Sequence, residues 1–98
     1  MNLEIFWTSE AKKSLSEIIY YLEKEWPVTI VTTFINRIDE VLDTISKNYS
    51  LYPKVDKQKN IYRCVVVTQV SLYYRIKANQ IELITIWDNR QNPENIEL

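Results

Sequence analysis

Three arginines, Arg63, Arg75 and Arg90, and the pair Tyr73-Tyr74 are the side chains of this sequence best suited to binding or chemistry. Arg63 and Arg75 lie in a valine- and isoleucine-rich run, Ile61 to Ile76. Arg90 follows a second run, Ile81 to Trp87, in the segment Trp87-Asp88-Asn89-Arg90-Gln91-Asn92-Pro93. Guanidinium groups are rarely buried unpaired, so Arg63 and Arg75 mark the solvated face of a sheet. Arg90 projects from the loop after the last strand. Such a face can receive a phosphate or a carboxylate. Alternation within a strand sends one of Tyr73 and Tyr74 to the core and the other outward, where a ring can stack on a nucleobase. The plain alternative for the arginines is ion pairing with Glu82, Asp88 or Glu94.

Absences narrow the chemistry. There is no histidine, which removes the imidazole general base, the histidine-activated serine or cysteine nucleophile, and most histidine-based metal sites. There is no glycine, which excludes a glycine-rich phosphate loop. Turns needing positive φ must use asparagine, and Asn48, Asn60, Asn79 and Asn89 all stand at breaks in the hydrophobic pattern. Asp39, Glu40 and Asp43 are spaced like metal carboxylates, yet they fall on the polar face of an amphipathic helix, where solvation explains them. No metal and no cofactor are expected. The one cysteine, Cys64, sits in a strand pattern as a small core residue and forms no internal disulfide.

The net charge of −1 hides a division along the chain. Residues 47–77 carry Lys47, Lys54, Lys57, Lys59, Arg63, Arg75 and Lys77 against Asp56 alone, while the segments on either side are acidic. A basic centre in a nearly neutral chain suggests one surface that faces a polyanion or an acidic partner. A solvated lysine loop leading into a sheet is the simpler alternative.

The elements that position these residues follow from periodicity. Asn2 to Trp7 alternates as a strand, with Leu3, Ile5 and Trp7 on one side. Thr8 or Ser9 caps a helix whose apolar stripe is Ala11, Leu15, Ile18, Ile19, Leu22 and Trp26. Pro27 interrupts it and suits the first turn of a second helix, striped by Val31, Phe34, Ile35, Ile38, Val41, Leu42 and Ile45. Residues 47–60 read as a loop. Strands follow at Ile61–Val67, Val70–Lys77 and Ile81–Trp87, with turns near Thr68-Gln69 and Ala78-Asn79-Gln80. Trp7, Trp26 and Trp87 sit at element ends and close the core. The expected architecture is α+β, β-α-α-β-β-β, with an antiparallel helical hairpin on one face of a mainly antiparallel four-stranded sheet. At 98 residues the chain reads as one domain, residues 1–98. It shows no signal peptide and no apolar run of membrane length, so a cytoplasmic protein without membrane association is expected.

This order resembles the RelE/ParE superfamily of bacterial toxins. The resemblance rests on the run Ile5-Phe6-Trp7-Thr8-Ser9-Glu10-Ala11 into a helix, on Tyr20-Tyr21 and on Phe34. It continues through Ile61-Tyr62-Arg63, Leu72-Tyr73-Tyr74-Arg75-Ile76, and Ile84-Thr85-Ile86-Trp87-Asp88-Asn89-Arg90-Gln91-Asn92-Pro93. It covers nearly the whole chain. It implies the toxin of a type II toxin–antitoxin pair, a plasmid-stabilisation-like module that inhibits growth until a cognate antitoxin wraps it. An exposed tryptophan would then anchor the antitoxin.

Two branches share the scaffold. The nuclease branch cuts messenger RNA on the ribosome, and there the resemblance assigns Arg63, Arg90 and Tyr73 as catalytic, the arginines holding the scissile phosphate and offsetting transition-state charge. The ParE branch poisons DNA gyrase, and Arg63, Tyr73, Arg75 and Arg90 would then contact the target or the antitoxin. The nuclease set is incomplete, because Val65, Ser71 and Ile96 stand where that branch has basic or tyrosine groups. The ParE-like reading is therefore preferred, with an inactive binding module on the same fold as a further alternative. The register of the first hairpin matters. A three-residue turn, Thr68 to Val70, pairs Arg63 with Arg75, and a two-residue turn at Thr68-Gln69 pairs Arg63 with Tyr74.

Overall fold

The computed structural model describes residues 2–98. In chain order the elements are β1 (Glu4–Trp7), α1 (Ser9–Glu25), α2 (Val28–Lys47), β2 (Lys54–Asp56), β3 (Ile61–Val67), β4 (Val70–Lys77), β5 (Gln80–Asp88) and a single 3-10 turn, Pro93–Asn95. The sheet runs β1-β5-β4-β3-β2, with β1 parallel to β5 and every other pair antiparallel. The expected α+β class and helix-pair-on-sheet arrangement hold, but the sheet has five strands rather than four. The fifth, β2, lies inside the segment read as a loop. It is three residues long and irregularly paired to β3, too short to produce a visible alternation. β1 is also shorter than expected, because the Leu3 N–H leaves the ladder to bond Ser46 O at 3.0 Å.

The apolar stripes of both helices cover one face of the sheet. Ala11 of α1 and Phe34, Ile38, Val41 and Ile45 of α2 pack against Tyr62, Cys64, Val66, Leu72, Tyr74, Ile81, Leu83 and Ile86. Pro27, with φ of −59°, begins the second helix as its N-cap, and its carbonyl accepts from the N–H of Ile30 at 3.0 Å. Thr8 caps α1 as expected, accepting from the Ala11 N–H at 3.0 Å, while its own hydroxyl donates to Leu83 O at 2.6 Å. One residue thus starts the helix and fastens it to β5.

Ser14, buried on α1, makes a second fastening. Its oxygen accepts from the Ile86 N–H at 2.9 Å and its hydroxyl donates to Ala11 O at 3.1 Å. Ser14→Ala strands that amide in the core, at an expected cost of about 1–2 kcal/mol. Denaturant unfolding would measure it, and an unchanged midpoint would mean water replaces the hydroxyl.

Two bulges set what faces where. In β3 the pairs run Ile61↔Arg75, Arg63↔Tyr73 and Val65↔Ser71, then shift at Val67↔Val70, so Val66 is the extra residue. The turn is the two-residue one at Thr68-Gln69, but the bulge slips the pairing by one. Arg63 therefore opposes Tyr73, and neither Arg75 nor Tyr74 as expected from the turn alone. In β5 the shift falls between Tyr73 and Tyr74 of its partner and makes Ile84 the extra residue. The Val66 carbonyl, displaced by its bulge, accepts from Arg37 Nε of α2 at 3.1 Å.

The second hairpin is tighter than expected. Lys77 pairs with Gln80, so the turn is Ala78-Asn79, with φ of 52° and 61°. Positive φ at both central residues is the primed hairpin geometry that suits strand twist. Asn60 and Asn79 take the left-handed role expected of them, whereas Asn48 and Asn89 do not, and Ala78 does so unannounced. A β-carbon in that region costs about 1–2 kcal/mol. Part of this is recovered by Ala78→Gly, which is expected to stabilise the protein by about 0.5–1 kcal/mol after the entropy of the new glycine is deducted. A thermal melt would check this, and a lower melting temperature would show that the turn carries no strain.

Candidate functional site

The face of the sheet away from the helices is not the open, solvated surface that its arginines suggested. Ile61, Ser71 and Tyr73 lie on that face by register, outside the helix-side core, yet they are buried, Tyr73 to 7% exposure. The segment after β5 folds back beside them. Its Asn89, Gln91 and Pro93 join Arg63, Tyr73 and Trp87 around a cavity of about 320 Å³. Lys59 Nζ reaches Leu98 O at 3.0 Å at the far end of the segment. Within the cavity Arg63 Nη2 donates to Asn89 Oδ1 at 3.4 Å, and Asn89 Nδ2 donates to Thr68 O at 3.3 Å.

Tyr74 points the other way. Its hydroxyl donates to Tyr49 O at 2.6 Å, and its ring stacks on Tyr62 with centroids 5.2 Å apart. Burial pushes its phenol well above the usual range. The outward member of the tyrosine pair is therefore Tyr73.

The four arginines and tyrosines expected to form one site divide into three environments. Arg63 and Tyr73 are directly opposed and share the cavity. Arg75 lies on the same face, two residues along β4, but is ion-paired with Glu82 across to β5. Arg90 is elsewhere. Asp88 pairs with Val70 on the helix side of the sheet, and Arg90, two residues later, stays on that side. Its Nε and Nη2 hold Asp88 at 3.0 and 2.7 Å, and its guanidinium lies 5.2 Å from the Tyr21 ring. These hydrogen bonds from Arg90 hold the Asp88 carboxyl below its ordinary range, against an opposing effect of burial. The ion-pair alternative thus describes Arg75 and Arg90 and not Arg63.

Arg90 rims a second, larger feature that the sequence reading did not identify. A groove of about 680 Å³ opens between α1, the start of α2 and the ends of β4 and β5. Ile18, Tyr21, Leu22 and Trp26 line one side, Ile30 and Phe34 another, and Val70, Ile86 and Trp87 the floor. Trp26 does not close the core as expected: it is 52% exposed, and Ile30 beside it 45%. Exposed apolar side chains gathered at one mouth make this groove a candidate binding surface. The available signal was Trp26-Pro27-Val28 at a helix break, where two apolar stripes must part.

Cys64 behaves as a core residue, its thiol pushed up chiefly by burial, with the Tyr52 hydrogen bond and Arg37 acting in the opposite sense. Among the described residues no group of acidic or cysteine side chains is arranged to hold a metal, and no helix is long and apolar enough to cross a membrane.

Solved structures with this architecture include the chromosomal ParDE toxin–antitoxin system from P. aeruginosa, at TM-score 0.74 and 14% identity, covering 88% of this chain and 95% of that one. The YoeB-YefM complex from Staphylococcus aureus aligns at 0.59 and 18% identity, covering 88% and 95%. A YoeB/ParE toxin from Agrobacterium tumefaciens aligns at 0.62 and 8% identity, covering 88% and 98%. At these identities the likeness is one of fold. No curated protein matches the chain by sequence. The match to a toxin family model, on this fold, places the chain among the small toxins of the RelE/ParE superfamily. The family described as ParE toxin of type II toxin-antitoxin system, parDE, matches residues 5–93, and the chain belongs to that family.

Proposed function

We propose that this protein arrests growth by binding DNA gyrase, and that a cognate antitoxin silences it by seating an apolar segment in the groove between α1, α2 and the sheet. One observation carries the choice of a binding toxin over a nuclease: Arg90 lies on the helix side, held by Asp88, while Arg63 and Tyr73 lie beneath the chain on the other. A phosphodiester cleaved by the expected set would need these three groups around one phosphate. The groove supports the antitoxin reading, since exposed Tyr21, Trp26 and Ile30 supply the aromatic and aliphatic anchors that dominate such interfaces. The S. aureus relative on this fold was solved as a complex with YefM.

Ribosome-dependent RNA cleavage is the second reading, favoured by the direct pairing of Arg63 with Tyr73. The two are separated by assaying gyrase supercoiling with purified toxin and by mapping transcript ends after induction. Inhibited supercoiling with intact transcripts is the expected result. Ribosome-dependent cuts with unimpaired gyrase would sink the reading, and normal growth on induction would sink both.

A further inference from the structure

The groove between α1, α2 and the sheet is apolar within, and its lining includes three carboxylates, Glu10, Glu17 and Asp88, against one guanidinium, Arg90, a net of −2. Arg90 and Asp88 cancel each other. Nε and Nη2 of Arg90 are both spent on that carboxylate, and its guanidinium lies against the Tyr21 ring. Glu10 and Glu17 have no such partner. Both are exposed, and among the described residues neither forms an ion pair. Lys13 is spaced about one turn from each along α1 but does not line the groove.

The two free carboxylates differ in what holds them there. Glu10 is in the first turn of α1, where the positive end of the helix dipole favours a negative charge. Glu17 stands at mid-helix, beyond the reach of that dipole end. Seven residues separate the two, so they share one face of α1 about 10 Å apart along its axis. That face also carries Ile18 and Tyr21 of the groove wall. The basic centre of the sequence is elsewhere: Lys47, Lys54, Lys57, Lys59 and Lys77 are all absent from the lining. The apolar groove and the surface suited to an acidic partner are therefore separate, and the groove has the opposite sign.

We propose that the groove selects its occupant by charge as well as by apolar fit: the antitoxin segment seated there carries lysine or arginine beside its apolar anchors, set against Glu10 and Glu17. This rests on the antitoxin reading of the groove given above and adds the chemistry of the partner to it. A segment with the same anchors but acidic flanks is refused, because like charges brought together at a binding rim repel. Rim charges of this kind act mainly on the rate of encounter and on its salt dependence, while the apolar anchors hold the complex.

Binding kinetics of the full-length cognate antitoxin on this toxin test it. Glu17→Lys is expected to bind about tenfold more weakly than wild type at about 50 mM salt, chiefly through slower association, and to come within about twofold of it at about 500 mM. Glu17→Gln removes the charge without placing a second cation one turn from Lys13, and is expected to weaken binding about threefold. It keeps the test open if the lysine variant fails to fold. Changing the antitoxin's lysines and arginines singly to glutamate should yield one variant that binds wild-type toxin poorly and restores binding to Glu17→Lys. The proposal is overturned if Glu17→Lys binds as well as wild type or better, if its deficit persists at high salt, or if no antitoxin variant restores binding. Loss of capture in Trp26→Asp/Ile30→Asp with undiminished capture in Glu17→Lys would remove the charge selection alone. Capture that survives in both would remove the antitoxin reading of the groove with it. Self-association of the free toxin that Glu17→Lys abolishes, with antitoxin binding untouched, would make the occupant a second copy of this chain and overturn the proposal.

Discussion

Trp26→Asp combined with Ile30→Asp is expected to weaken capture of the cognate antitoxin by at least about a hundredfold while leaving the melting temperature of the free toxin nearly unchanged. The two expectations have a common cause. Trp26 and Ile30 are half exposed at the mouth of the groove, so they contribute little to the toxin's own core, and their apolar surface is available to a partner. Anchors of this kind, desolvated at the centre of an interface, are worth about 2–4 kcal/mol each when truncated. A buried aspartate would add the penalty of an unpaired charge.

Titration calorimetry with the antitoxin measures the first effect, and a melt with and without antitoxin gives an independent view. Binding to the folded state raises the wild-type melting temperature, and that rise should vanish in the double variant. Undiminished capture would place the antitoxin elsewhere on the surface. A collapse of the free toxin would show instead that the two side chains serve folding.

Arg37→Met is expected to destabilise the fold by about 1.5–2.5 kcal/mol, a fall in melting temperature on the order of 10 °C for a domain of this size. Arg37 Nε donates to the carbonyl of Val66, the bulged residue, whose backbone has left the ladder. Methionine keeps the apolar stem against the sheet but leaves that carbonyl without a partner. The ion pair of Arg37 with Glu40 is exposed and contributes little to this figure. Arg37→Lys is expected to fall between the two, since a single ammonium lacks the fixed Nε direction.

The consequence reaches the site. The bulge at Val66 is what sets Arg63 opposite Tyr73, so loosening it should broaden the side-chain resonances of both. A variant that melts like wild type would mean water serves the carbonyl as well as arginine does.

The legible parts of this fold were those encoded by local period. The helix stripes from Ala11 to Leu22 and from Val31 to Ile45 appear where the 3.6-residue spacing puts them, except that Ile35 is left exposed, and β3 and β4 keep their expected bounds. Thr8 and Pro27 punctuate the helices because capping chemistry and a missing N–H act within a few residues. β2 escaped because three residues carry no period, and its pairing depends on β3 rather than on its own sequence. Ala78 escaped because the strand pair demanded a two-residue primed turn and the chain has no glycine to fill it. Trp26 was placed inside because its position continues the α1 stripe, although the helix ends one residue before it.

The candidate site divides along the same line. Residue types alone excluded a histidine base and a glycine-rich phosphate loop, and required one tyrosine of the pair to face away from the core. Order and spacing determined the superfamily. Tertiary structure decided the partnership of each arginine. One extra residue at Val66 slips the hairpin register by a step and sets Arg63 against Tyr73. Strand alternation carried past Asp88 turns Arg90 to the helix face, where a carboxylate and the Tyr21 ring hold it. The returning segment then encloses Arg63 without giving it an opposite charge. Periodicity is a short-range property of the chain, whereas register, bulges and the path of a terminal segment are set by contacts between residues far apart in sequence.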